Sequence, residues 1–311
     1  MATSLGPGPE FDRIRIIEKA LGGLASGLGD DCAFLPDGWC VSTDLSVEDV
    51  HFRRGWIEPE AIGWRAAAGG LSDLAAVGAR AESVLVGLVA PADEPAESLA
   101  ALMRGVGEAA GSVGARIVGG DLTAGRTLTL AVTVLGRTAH PVRRAGARPG
   151  DGVWVTGTLG GSRAALMPLL EGRPPDSRAL GRFARPMPRL AQGAAFAAAG
   201  ARAMLDVSDG LAGDLGHLAA ASGVGVEVDG ALIPVHPTVA AEAARVGESA
   251  AIFAARGGED YELVVAMPPD FSAVEMAGVP VTRIGTIVAA PGVRFTVDGR
   301  VTSLVGFNHF G

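Results

Sequence analysis

Two kinds of apolar run alternate along the 311-residue chain. The first is short and apolar at nearly every position, as in SVLVGLVAP (83–91) and TLTLAVTVLGR (127–137), and predicts strands covered on both faces. The second is longer and alanine-rich, and predicts helices over about 60–77, within EAIGWRAAAGGLSDLAAVGA, and over about 95–111. GLGDDCAFL (27–35), PDG (36–38) and WCVSTDL (39–45) read as strand, tight turn and strand, and ARIVGGD (115–121) as a further short strand. Because hairpins occur among alternating strands and helices, a mixed α+β arrangement is expected rather than a doubly wound sheet.

HPVRRAGARPGD (140–151), rich in Pro, Gly and Arg, has the composition of a linker. It divides the chain into an expected N-terminal domain, 1–139, and C-terminal domain, 140–311; a chain of this length normally needs two cores. The second half opens with the strand GVWVTG, the glycine-rich turn TGTLGGS, which resembles a phosphate-cradling loop, and a helix. The strand-like runs ARAMLDVSDGL, GVGVEVDGALIP, EDYELVVAMP and VTRIGTI follow.

Several acids break this pattern. In LDVSDGLAGDLGHL (205–218), Asp206 and Ser208 project to one side of a strand end, and Asp209 opens a helix striped by Leu211, Leu215 and Leu218. Helix capping would account for Asp209 alone, but not for Asp206 inside an apolar strand, where an unpaired carboxylate is costly. The pattern returns at Asp30 and Asp31, at Ser42, Thr43 and Asp44, at Asp73, and at Asp121 after Gly119 and Gly120. Clustered carboxylates repel, and hard divalent cations relieve that repulsion; oxygen-only ligands favour Mg²⁺ or Mn²⁺ over zinc and point to phosphate chemistry. Asp214, His140, His217 and His236 are expected at the surface or in turns, and Trp64 in the core.

Composition narrows the chemistry. A net charge of −8 argues against a nucleic-acid binder. Lys19 is the only lysine, so the Gly-Lys-Ser/Thr of a P-loop is absent and phosphate must be met by arginine, backbone amides or metal. No apolar run approaches the roughly 18 residues of a membrane span, and MATSLGPGPEFDR lacks the pattern of a secretion signal. With Cys32 and Cys40 read as free thiols, a cytoplasmic location is expected.

At these residues the sequence resembles the thiamine-monophosphate kinase family of the aminoimidazole ribonucleotide synthetase-like superfamily. The resemblance runs in order through GLGDDCAFL, STDLSVEDVHF, AIGWRAAAGGLSDLAAVGA, VGGD, RRAGARPGDGVWVTGTLGGSRAAL, RPMPRL, LDVSDGLAGDLGHLAAASG, GGEDYEL, IGTI and GFNHF. It implies a two-domain α/β fold, its N-terminal sheet domain pairing in a homodimer. The implied reaction is direct, in-line transfer of the γ-phosphoryl group of ATP to thiamine monophosphate, with several Mg²⁺ ions and no covalent intermediate or general base. It is the last step in making thiamine diphosphate. Carried over by position, Asp31, Ser42, Thr43, Asp44, Asp73, Asp121, Asp206 and Asp209 would hold metal. Gly120, Asp121, Arg144 and Ser208 would contact ATP, and His51, Glu259 and Phe307 the acceptor. The chain departs from the family's text at Asp49, where glycine is usual, at Gly70 in place of Asn, and at Phe183 and Ala184. Another ATP-dependent enzyme of the superfamily, or a non-catalytic nucleotide-binding subunit, is the alternative. The first lacks support because a reactive N-terminal cysteine and a C-terminal cysteine are both missing; the second, because all the aspartates are present.

Overall fold

A computed structural model describes residues 6–25 and 27–307. In chain order the first half comprises α1 (Pro9–Leu21), β1 (Ala33–Phe34), β2 (Trp39–Val47), α2 (Pro59–Ala76), β3 (Arg80–Ala90), α3 (Ala96–Ser112), β4 (Arg116–Ala124) and β5 (Thr129–Arg137). The second comprises β6 (Gly152–Thr156), α4 (Gly161–Leu170), α5 (Ser177–Ala184), α6 (Leu190–Ala198), β7 (Ala203–Asp206), α7 (Leu211–Ser222) and β8 (Gly225–Asp229). It continues with α8 (Val239–Arg245), α9 (Ala250–Ala255), β9 (Leu263–Met267), β10 (Glu275–Met276), β11 (Val279–Val288), β12 (Gly292–Val297) and β13 (Arg300–Thr302).

The strands form two sheets, ordered β1-β2-β5-β3-β4 and β13-β12-β8-β11-β6-β9-β7, with β10 on β11. In the first, neighbours run antiparallel except β3 and β4. Along β5, Leu130, Val132 and Val134 are fully buried, whereas Thr129, Ala131 and Thr133 between them are only half-buried. The expectation of strands covered on both faces therefore holds for one face within a single chain; the other is open. Every residue of the edge strand β4 is exposed.

Alpha2 is the keystone of the site. Fifteen of its residues are buried, a consequence of AIGWRAAAGGLS, whose small side chains let other elements approach from several directions. Trp64 donates from its indole N–H to the Pro186 carbonyl at 2.7 Å, so α2 reaches from the first sheet into the second half. Its crossing with α3 is backbone on backbone: a methyl at Gly63 would overlap the Leu102 carbonyl, and one at Gly105 the Glu60 carbonyl. Alpha1, by contrast, buries only Phe11, which packs on His217 of α7.

Three strand expectations differ from the structure. GLGDDCAFL is strand only at Ala33–Phe34, because Gly27 and Gly29 take positive φ and turn the chain so that Asp30 and Asp31 point inward. EDYELVVAMP is strand only over Leu263–Met267, since Glu259 and Tyr261 are left-handed, with φ of 61° and 50°. Beta4 runs past Asp121 to Ala124.

Neither α2 nor α3 can yield at the glycine crossing without sliding the helix that carries Asp73. Gly63→Ala and Gly105→Ala are each expected to lower unfolding free energy by about 2–3 kcal/mol, read by urea denaturation. A loss below about 0.5 kcal/mol would show that the crossing is loose.

Candidate active site

Four pieces of chain meet beside α2. The turn after Gly29 supplies Asp31, β2 supplies Ser42 and Asp44, α2 supplies Asp73, and the end of β7 supplies Asp206. Carboxylate oxygens of Asp31, Asp73 and Asp206 lie within 4.8 Å of one another. The Asp44 carboxylate lies against Gly69, where any side chain would displace it. Ser42 donates to Asp73 Oδ2 at 2.5 Å, and Arg144 binds Asp31 Oδ1 through Nη2 at 2.6 Å and Nε at 3.2 Å.

Arg144 is the cation set directly against this cluster, and it does not neutralise it. Burial, then repulsion from Asp206, Asp44 and Asp31, pushes Asp73 well above the ordinary carboxylate range. Burial and the charge of Asp31 push Asp206 up to about 7. Asp30 is raised by burial and by Asp31, although its Oδ1 accepts from the Arg144 amide at 3.2 Å. An all-oxygen cluster this crowded could hold a divalent cation, which would replace its protons and relieve the repulsion.

A cleft of about 390 Å³ opens from the cluster. Ser208 and Asp209, in the turn between β7 and α7, line it, as do His51, Glu259 and Phe307. His51 accepts from the Val47 amide through Nδ1 at 3.1 Å. Glu259 is held by its amide on the Ser208 carbonyl at 2.7 Å, and Phe307 by its amide on the Asp209 carbonyl at 2.8 Å. The remainder of the GFNHF motif, 308–310, lies outside the described residues.

Other expected residues lie elsewhere. Thr43 alternates with Ser42 and Asp44, so its hydroxyl meets Thr133 at 2.9 Å on the open face of the sheet, away from the cluster. Gly120 and Asp121 sit on β4, and Gly120 stands level with Asp44 through Val86 and Val132. That is three strand spacings, about 14 Å. They line a separate apolar groove of about 590 Å³ with Leu99, Met103 and Ile117.

Asp214 and His217 are not surface residues: they are 2% and 9% exposed. Phe11 of α1 packs on the His217 ring, and both Asp214 and His217 line the cleft rather than the outer surface. Asp209 is not the helix cap, for Gly210 takes that position. TGTLGGS is no open phosphate cradle, because Asp260 accepts from the Gly160 and Ser162 amides at 2.6 and 3.1 Å. Trp64 is core, as expected.

Arg65 was missed. An arginine in an alanine-rich helix reads as its solvent face, yet this one is 2% exposed, donates to the Phe183 carbonyl at 2.6 Å, stacks 3.9 Å over the Phe183 ring and pairs with Glu259. The only signal was Phe183 itself, a departure from the family's text, which supplies the ring on which the guanidinium lies.

Residues 29–138 match the AIR synthase related protein, N-terminal domain, and 148–298 the corresponding C-terminal domain. A Mycobacterium tuberculosis protein named thiamine-monophosphate kinase is 38% identical over 92% of this chain and 86% of its own length. One of the same name from Halobacterium salinarum is 39% identical over 94% and 98%. This chain belongs to the thiamine-monophosphate kinase family. A solved structure described as "AaThiL complexed with AMPPCP and TMP" superposes with a TM-score of 0.89 at 32% identity over 97% of both chains. Within this family frame one departure is explained: Asp49 has φ of 65°, a left-handed position that suits the family's usual glycine and that aspartate tolerates better than most residues. It shapes the turn carrying His51.

Proposed function

We propose that this chain transfers the γ-phosphoryl group of ATP to thiamine monophosphate, yielding thiamine diphosphate. The observation that carries the proposal is the convergence of Asp31, Asp73 and Asp206, joined by Asp44 and Ser42, at the foot of a cleft in a member of this family. Asp31, Ser42, Asp44, Asp73 and Asp206 would hold Mg²⁺ there, and the ions would supply charge to offset that developing on the transferred phosphoryl group. Arg144 and Ser208 flank the phosphate path, and Asp209 would hold metal on its far side. No residue is assigned as general base or nucleophile. Among the described residues no helix is long and apolar enough to cross a membrane, and Cys32 and Cys40 are free thiols, which supports a cytoplasmic reading.

For the acceptor, a thiazolium cation calls for a carboxylate and an aromatic face, and Glu259 and Phe307 lie on the same cleft as His51. Arg65 holds Glu259 in place, so its carboxylate faces the cleft from a fixed point.

The separation of Asp121 from the cluster supports a homodimer. Beta1 pairs with β2 only at Cys40 and Val41, so no further strand is paired along that side of β2 among the described residues, and β4 is the other edge strand of the same sheet. Two open edges and one open face are closed together when β4 of a second copy lies on β2. The partner's Asp121 would then flank Asp44, and the 590 Å³ groove would offer its apolar walls to the adenine. The two domains, 1–139 and 140–311, would divide the work: pairing and metal in the first, cleft walls in the second.

Incubation with Mg²⁺, ATP and thiamine monophosphate is expected to yield thiamine diphosphate, to stop in EDTA and to resume on adding Mg²⁺. Asp73→Asn should slow turnover by orders of magnitude while leaving the far-UV spectrum unchanged. Turnover in chelator, or no product at all, overturns the proposal. Glu259→Ala should raise KM for thiamine monophosphate far more than for ATP; the reverse order would remove Glu259 from the acceptor pocket. Inactive Asp73→Asn and Asp121→Asn chains, mixed and reassociated, should recover about a quarter of wild-type activity, since half the dimers are mixed and each has one intact site. No recovery would mean that the site belongs to one chain.

A further inference from the structure

The last described residues reach the cleft over a seat made of glycine. Beyond β13 the chain leaves the outer strand of the second sheet, Leu304 packs against the core of the second half, and Phe307 lines the cleft. Between them Gly306 lies on the first turn of α7. A methyl on Gly306 would stand 2.8 Å from the Asp209 carbonyl oxygen and from the backbone N and Cα of Gly213, atoms that cannot swing aside. A methyl on Gly213 would already touch the Gly306 Cα at 3.4 Å, so a longer side chain there would take the segment's place. Neither glycine has positive φ, so no backbone conformation requires it. Gly213 even stands inside a helix, where glycine is a poor choice against alanine. Close approach of the two backbones is the reason that remains. The Phe307 amide completes the seat by donating to the Asp209 carbonyl at 2.8 Å.

We propose, resting on the acceptor role given to Phe307 above, that Gly306 seated on Gly213 is a positioning residue for the acceptor. The seat sets where the Phe307 ring stands, and so how tightly a flat cation is held against it. The segment is tied to the second core at Leu304 and to the start of α7 at Gly306, which fixes the point at which the ring enters the cleft. Its amide bonds to the residue whose side chain lines the same cleft, so the aromatic wall keeps a set distance from the phosphate end. Only backbone atoms form the seat. Lifting Gly306 off the helix therefore leaves Arg144 and Ser208, the side chains facing ATP, where they are.

A double-mutant cycle on the full chain tests this, read by steady-state kinetics and by calorimetric binding of thiamine monophosphate with Mg²⁺ and no ATP. Gly306→Ala should weaken thiamine monophosphate binding and raise its KM by about tenfold or more, with KM for ATP held within about twofold. Gly306 lies outside every helix and strand, so the far-UV spectrum and Tm should stay those of the parent. Adding Gly306→Ala to Phe307→Ala should change neither acceptor quantity further, because the seat acts only through the ring. An unchanged acceptor KM in Gly306→Ala, an equal rise in KM for ATP, or a further loss in the double variant overturns the proposal. Wild-type protein that binds no thiamine monophosphate would remove the acceptor site and the seat with it. Wild-type binding retained in full by Gly306→Ala would remove the seat alone.

Discussion

Mutual repulsion among buried carboxylates governs this structure. Asp31, Asp73 and Asp206 are brought to one point by a turn, a helix and a strand that share no local sequence, and the arginine set against them, Arg144, spends its hydrogen bonds on Asp31. Such a point is unstable alone, so the surrounding elements must be rigid enough to hold the carboxylates together against that repulsion. Rigidity comes from α2, packed through glycine against α3 and tied by Arg65 to Phe183 of α5 and by Trp64 to Pro186 just after it.

Distribution of the remaining machinery follows from strand alternation. On β2, Ser42 and Asp44 face the cluster while Thr43 faces the open side. That single reversal separates what chain order places together, and it links the buried site to the uncovered face that a second copy would close. Asp121 lies on that outer boundary. The site is therefore continuous, through β2, with the open face and edge of the first sheet.

Much of this was legible in the sequence. Apolar runs located the long strands and both long helices to within a few residues, and acids misplaced against the apolar pattern marked the cluster. What was not legible depended on tertiary context. Asp214 and His217 fit a helix's polar side, but that side faces the enclosed cleft rather than solvent. Arg65 resembled a solvent-facing residue until Phe183, over a hundred positions away, supplied its stacking surface. GLGDDCAFL carried a strand's composition, but two left-handed glycines broke it. TGTLGGS had the look of a phosphate loop, yet the anion at its amides is Asp260, part of the protein itself.

GGEDYEL has a consequence for how the chain can change. Four successive side chains leave it in four directions: Glu259 to Arg65, Asp260 to the start of α4, Tyr261 towards Gly69 beside Asp44, and Glu262 to Arg182, Arg189 and Thr156. Left-handed backbone at Glu259 and Tyr261 makes this fan-out possible. Residue identity there can drift where chemistry allows, but segment length cannot. A single inserted or deleted position would rotate each anchor onto its neighbour's target and detach cleft, helix and sheet together. A change in chain length is tolerated better in exposed surface turns, and this short segment sets the ruler by which both halves are aligned.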